Sequence, residues 1–152
     1  MKQEEIDKRT DKRKTGDIGE KIACRFLVKR GFEIVEQNYN KKWGEIDIIA
    51  LKPGHTKIED KLHFIEVKSV TRDDLKHVSY ETDGYRPEDN LHPWKLKRLS
   101  RVIQTYLLGY RGVSCVTSQR GGEVDWQFDV IAVYLNIKSM QAKVNYMEDI
   151  II

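Results

Sequence analysis

Two short segments restrict the fold more than anything else in the chain: Gly44-Glu45-Ile46-Asp47-Ile48-Ile49-Ala50 and Phe64-Ile65-Glu66-Val67-Lys68. Both are rich in β-branched and aromatic residues, as strands are, yet each carries charge in its middle. Side chains on a strand alternate between faces. By that rule Ile46, Ile48 and Ala50 bury one face of the first segment, while Glu45 and Asp47 share the other with Ile49. On the second segment Glu66 and Lys68 share a face. The polar connection holds Pro53 and Gly54, as a hairpin requires. A turn near Thr56–Lys57 sets Asp47 opposite Glu66, because the two positions are symmetric about it, and cross-strand neighbours stand about 5 Å apart.

Two carboxylates that close repel, which raises one pKa unless a cation intervenes. Lys68 is one candidate cation. A divalent metal is the other, since carboxylate oxygens and water are the ligands magnesium prefers. Acids inside a half-buried sheet are costly, so folding alone does not select them. Each piece also has an ordinary explanation. A Glu-x-Lys on a strand is usually a surface ion pair, a lone Asp47 could be solvated on an edge, and Glu20 could simply oppose a helix dipole.

The surrounding pattern supplies a frame. A helix is expected from Gly16 to Arg30, capped by Thr15, closed by Gly31, and buried along Ile18, Ile22, Ala23, Phe26 and Leu27. Glu20 falls at the edge of that stripe and can point along the packed face. Strands follow at Phe32–Tyr39, Glu45–Leu51 and Leu62–Val70. Residues 71–92 read as a long polar loop. A second helix runs from Pro93 to Leu108, with Leu96, Leu99, Ile103, Tyr106 and Leu107 facing the core and Lys95, Lys97, Arg98 and Arg101 gathered at its start. Two more strands, Val113–Thr117 and Gln127–Leu135, complete the sheet, and Gln141–Met147 is a candidate edge strand. The order α-β-β-β-α-β-β implies an α/β fold, a mixed sheet flanked by helices.

The length, 152 residues, suits one domain. Residues 1–14 carry six basic and four acidic side chains and read as a charged flexible arm, with the folded domain over 15–152. That arm has no apolar core and is not a secretory signal, and no apolar run approaches the roughly 20 residues of a membrane span. No membrane partner and a cytoplasmic location are therefore expected. The net charge of +3 permits a polyanionic partner without requiring one. Cys24 and Cys115 form no Cys-x-x-Cys pair and read as buried thiols. His55, His63, His77 and His92 lack metal-ligand spacing, which argues against zinc.

Taken in order, Gly16-Asp17-Ile18-Gly19-Glu20, Asn38-Tyr39, the Asp47 and Glu66–Lys68 segments, Lys95 with Arg98-Leu99, and Phe128-Asp129-Val130 resemble the YraN-like family of small bacterial proteins, predicted endonucleases of the PD-(D/E)XK superfamily. The resemblance runs from Gly16 to Val133. It implies a restriction-endonuclease-like fold, with Asp47 matching the metal-binding Asp and Glu66 and Lys68 the Glu-x-Lys. Glu20 matches the helix Glu of the branch similar to archaeal Holliday-junction resolvases. The sequence departs from the family at Ser69-Val70, where Thr-Arg is usual and Arg72 is the nearest substitute, and at Gln127, where an Arg is common. The Leu51–Leu62 connection also looks longer than usual.

The expected activity is metal-dependent hydrolysis of phosphodiester bonds, in DNA more than RNA, and in branched or structured substrates by analogy with junction resolvases. One or two magnesium ions, with manganese as a substitute, would bind Asp47, Glu66, the carbonyl of Val67 and Glu20. Lys68, beside anionic groups, should keep its proton and stabilise charge rather than act as a base. Lys95, Lys97, Arg98 and Arg101 would clamp phosphate. Lys41 and Lys42 would add contacts, and Trp43 a stacking surface, although core packing explains Trp43 equally well. Asp129 reads as structural. The resemblance also admits a homodimer, since junction-cutting relatives pair two active sites. Two alternatives remain open: a nucleic-acid-binding module of the same fold that does not cut, and a structural domain whose charges satisfy one another.

Overall fold

The computed structural model describes residues 11–76, 92–110 and 124–152. These form α1 (Asp11–Lys29), β1 (Glu33–Lys41), β2 (Gly44–Lys52), β3 (Lys61–Thr71), α2 (Pro93–Gly109), β4 (Trp126–Asn136) and β5 (Gln141–Met147), with a single 3-10 turn at Lys57–Glu59 between β2 and β3. The strands make one sheet in the order β1-β2-β3-β4-β5. The first three are mutually antiparallel, β4 runs parallel to β3, and β5 returns antiparallel to β4. A parallel pair needs a long crossover, and α2 lies within it. The α/β class and the order α-β-β-β-α-β-β agree with the sequence expectation. The strand expected at Val113–Thr117 lies outside the described residues, as do residues 1–10 of the arm and residues 77–91 of the long connection. The last strand in the described order is Gln141–Met147, at the sheet edge.

Each face of the sheet carries one helix. On one side Ala23 and Leu27 of α1 pack against Ile48, Ala50, Ile65, Ile131 and Val133. On the other, Leu99, Val102 and Ile103 of α2 pack against Ile46, Ile49, Phe64, Phe128 and Val130. β2 is thus buried on both faces, which corrects the one-sided reading. Ile46 and Ile48, two residues apart, point to opposite sides, so strict alternation fails between them, at Asp47.

The first helix also departs from expectation. It is helical from Asp11, the first described residue, and Thr15 is no cap: its hydroxyl donates back to the Asp11 carbonyl at 2.9 Å. Ile18, assigned to the buried stripe, is 42% exposed. The rest of the expected stripe is buried, Ala23 and Leu27 fully and Ile22 and Phe26 in part, and Gly19 joins it. Cys24 is half-buried and unpaired by any disulfide, and burial pushes its thiol up. Among the described residues no helix is long and apolar enough to cross a membrane.

A polar network joins three strands inside the α1-side core. Asp129 is fully buried. One carboxylate oxygen meets His63 Nδ1 at 2.6 Å and accepts the Tyr146 hydroxyl at 2.6 Å. The other accepts the Gln127 amide at 2.8 Å and the Asp149 backbone N–H at 2.9 Å. Four partners satisfy a buried carboxylate that would otherwise be strongly destabilising. They also tie the C-terminal tail to β4, helped by the Ile150 N–H on the Phe128 carbonyl at 2.8 Å. Burial pushes the Asp129 carboxyl up, but His63, Tyr146, Asp149 and Gln127 outweigh it and hold the group below the usual range.

Asp129→Asn is expected to destabilise the fold by about 3 kcal/mol, read by chemical denaturation. Because the folded pKa is depressed, the contribution is complete above the unfolded value of about 3.9 and is lost as pH falls through the folded one. The stability gap between wild type and variant should therefore shrink below about pH 4. A gap that stays constant there would show that the carboxylate charge is not what matters.

Candidate functional site

The failed alternation in β2 is where the site begins. Opposite it on β1, Asn38 has a left-handed φ of 52°. The β1/β2 register is continuous on either side, Gln37 with Ile48 and Tyr39 with Ile46, but skips Asn38 and Asp47. On the other flank the β2/β3 ladder runs from Lys52 and Lys61 to Ile48 and Ile65 and stops. Past that point the Asp47 carboxylate takes over from the backbone and accepts the Val67 N–H at 2.8 Å. The ladder stops one pair short of Asp47 and Glu66, which the symmetric numbering sets opposite each other; Asp47 bonds to Val67 and feels the charge of Glu66.

Glu66 and Lys68 occupy one face of β3, as expected. Glu66 Oε1 lies 3.0 Å from Lys68 Nζ and accepts a hydrogen bond from Lys95 Nζ, in the first turn of α2, at 2.7 Å. Lys95 was expected among the phosphate-clamping residues; the structure turns it inward onto Glu66 instead. Oε2 of Glu66 is buried and has no hydrogen-bond partner among the described residues.

The electrostatics split the two carboxylates. Burial pushes Asp47 up to about 7, reinforced by the charges of Glu20, Glu66 and Glu45 and only partly offset by the Val67 N–H. Burial acts on Glu66 in the same direction, but the bond from Lys95 and the charge of Lys68 overcome it and hold Glu66 below its ordinary value. Lys68 is held above its own: burial favours the neutral amine, and Glu66 more than reverses this. Glu20 is raised by burial, then by Asp17 and Glu45. Unequal pKa values in adjoining acids mark functional sites more often than chance.

Glu20 reaches the cluster from α1. It lines an open groove of about 480 Å³ together with Asp11, Lys12, Thr15 and Gly16 of the same helix and Val67, Lys68, Ser69 and Thr71 of β3. Among the described residues no three His, Cys, Asp or Glu side chains stand close enough to form a ready-made metal cage.

A second open groove, about 510 Å³, lies where the β1–β2 turn meets the start of α2, lined by Lys42, Trp43, Trp94, Lys97, Arg98 and Arg101. Arg101 stacks 4.4 Å over Trp43, and Arg98 stacks 5.2 Å over Trp94. The expected basic residues Lys42, Lys97, Arg98 and Arg101 thus gather with Trp43. Lys41 does not line this groove; its amine sits 4.9 Å over Tyr39. Trp94, which the sequence reading passed over, completes the lining, and its position directly before Lys95 is the one signal that could have found it.

A profile of the uncharacterised protein family UPF0102 matches residues 19–133. The chain belongs to UPF0102. That agrees with the YraN-like resemblance. A UPF0102 protein of Campylobacter fetus is 37% identical over 121 residues, covering 80% of this chain and 84% of its own. One from Caldicellulosiruptor saccharolyticus is 34% identical over 139 residues, covering 91% and 98%. A third, from Caldanaerobacter subterraneus, is 30% identical over 141 residues, covering 92% and 96%.

The matched UPF0102 region takes in Glu20, Asp47, Glu66, Lys68 and Lys95, and it begins at Gly19. Gly19 is the close-approach point of α1 on β3: a Cβ there would lie 1.7 Å from Ser69 Oγ and 2.9 Å from Ser69 Cβ. The position of Glu20 over the groove depends on that approach. Of the two departures, Gln127 fills a defined role, since its amide donates to Asp129, whereas Arg72 donates to the neighbouring Thr71 carbonyl at 2.9 Å.

Gly19→Ala should therefore destabilise the protein by about 1–3 kcal/mol, although alanine is intrinsically the better helix former. Combining it with Ser69→Gly should recover at least about 1 kcal/mol in a double-mutant cycle. Simple additivity of the two changes would show that the contact does not set the helix position.

Proposed function

We propose that this UPF0102 chain is a metal-dependent nuclease that hydrolyses phosphodiester bonds in nucleic acid, DNA ahead of RNA, in the cytoplasm, on a restriction-endonuclease-like fold. The observation that carries the reading is Asp47: a carboxylate held at a break in two strand pairings, pushed up to about 7 by burial and by three neighbouring acids, with a single backbone hydrogen bond from Val67 to offset them. Such a group is stabilised by a cation.

The donors suit a hard divalent ion. Asp47, Oε2 of Glu66, which has no hydrogen-bond partner among the described residues, and the carbonyl of Val67 are all oxygens, the ligands magnesium takes alongside several waters. Asp47, Glu66 and the Val67 carbonyl would hold the ion, with Glu20 reaching it directly or through water. When bound, the ion polarises a phosphate oxygen and lowers the pKa of water.

The chain's own residues do the rest. Lys68, held protonated by Glu66, presents fixed positive charge to the phosphate as negative charge builds on it, and does not serve as a base. Lys95 keeps Glu66 ionised and oriented. Lys97, Arg98 and Arg101 supply phosphate contacts around it. A non-catalytic nucleic-acid-binding module is the second reading. It is favoured by one observation: Lys68 and Lys95 already neutralise Glu66.

Incubating branched, single-stranded and linear DNA and RNA with magnesium or manganese tests both. Wild type should cleave at least one substrate, and Asp47→Asn and Lys68→Ala should each slow cleavage by about 100-fold or more. Salt-sensitive binding without cleavage would support the module. Cleavage that survives both substitutions would end the assignment of these residues.

A further inference from the structure

The groove between the β1–β2 turn and α2 has a composition that phosphate binding alone does not explain. Four cations line it, Lys42, Lys97, Arg98 and Arg101, with no carboxylate in its walls among the described residues. Lys97 and Arg98 stand in the second turn of α2, with no acid in the first turn to balance them, and this concentration of positive charge favours an anion. Two tryptophans share the groove. Trp94 is 56% exposed, although an indole is ordinarily buried for its large apolar area. Trp43, half-buried, packs against the α2-side core and presents its ring to Arg101.

We propose that this groove binds unpaired nucleotides, so that the preferred substrate is a single strand or a single-stranded segment of a larger nucleic acid. The proposal rests on the nucleic-acid part of the preceding reading and adds the substrate class. A duplex offers phosphates and groove edges, which the cations alone would serve. Its bases are already stacked on one another and offer no ring face to Trp94. Unpaired bases do, and stacking on aromatic side chains with arginine support is how sequence-tolerant single-strand binders work.

The groove is tied to the acidic cluster along the chain. Trp94 directly precedes Lys95, whose amine is bonded to Glu66. Trp43 stands at the head of β2, about 13 Å of extended chain before Asp47. A strand stacked along the two indoles would have its backbone beside the cations.

Binding by the full-length protein in EDTA, at about 0.15 M salt, tests this without turnover. The probes are oligothymidylate, oligouridylate and a DNA duplex of equal length, followed by fluorescence anisotropy and tryptophan quenching. Both single strands should bind at least about tenfold more tightly than the duplex. Trp94→Ala should abolish that preference, and Trp94→Phe, which keeps a ring, should retain most of it; Trp94 is exposed, so neither change threatens folding. A difference between the two single strands would trace to the sugar or to the thymine methyl group, and equal affinity would mean stacking blind to both; either supports the proposal. Equal or tighter duplex binding, no binding of any probe, or a Trp94→Ala loss that is the same for strand and duplex would overturn it. Single-strand preference with no cleavage of any substrate would remove the hydrolytic reading alone. Duplex cleavage without that preference would remove this inference alone.

Discussion

The bond from the Val67 N–H to the Asp47 carboxylate holds together what would otherwise be incompatible demands. Two buried strands must separate at that point, because the backbone ladder between them has ended. A separated strand exposes donors that a core cannot leave unmade. The side chain of Asp47 satisfies one of them at 2.8 Å, and in doing so fixes its own carboxylate at the mouth of the gap. The switch of faces between Ile46 and Ile48 follows from the same irregularity. It lets β2 bury one isoleucine under each helix while the acid sits between them.

Charge balance then decides what the cluster can do. Glu20, Glu45, Asp47 and Glu66 all act on this small region, and Lys68 and Lys95 answer them. Both lysines converge on one oxygen of Glu66. Asp47 is therefore left as the acid whose main compensation is a single backbone N–H, and it absorbs the repulsion of the other three. An arrangement built for stability would have distributed the lysines between the acids. The contrast with Asp129 is instructive: that carboxylate is more deeply buried, yet four donors saturate it and lower its pKa. One acid is finished by the fold and the other is left wanting a cation.

Much of this was legible in the residues. The register of β2 with β3, from Lys52 and Lys61 to Ile48 and Ile65, follows from turn position and numbering, since antiparallel register is an arithmetic property of the hairpin. Strand and helix positions follow from apolar spacing, to within a residue or two for β2, β3, β4 and α2. What was not legible depended on exceptions to periodicity or on contacts across elements. Alternation could not reveal that Ile46 and Ile48 face opposite ways, because the cause is a local break shared with Asn38. The start of α1 was set late because Thr15 looks like a cap, whereas its hydroxyl bonds backward within the helix. Lys95 looked like one of four equivalent basic residues, and only its packing against β3 separates it from Lys97 and Arg98. Gly19 carried no readable role until Ser69 was placed against it.

The second helix shows how the two levels meet. Its buried face, Leu99, Val102 and Ile103, is what any helix needs to dock on a sheet. Its charges run against helix physics: there is no acid in the first turn and no base in the last, and the cations crowd the end where the dipole is already positive. Reversing that pattern would leave the docking face untouched and stabilise the helix by a few tenths of a kcal/mol per charge. The chain carries the unfavourable arrangement at the one end of α2 that adjoins both the acid cluster, through Lys95, and the tryptophan-lined groove. Positive charge accumulated against local preference, beside a carboxylate with no counter-ion among the described residues, is the arrangement that the proposed function, with its nucleic-acid substrate and its metal, would call for. Folding accounts for the bond between Val67 and Asp47, but not for the charge gathered at the helix end.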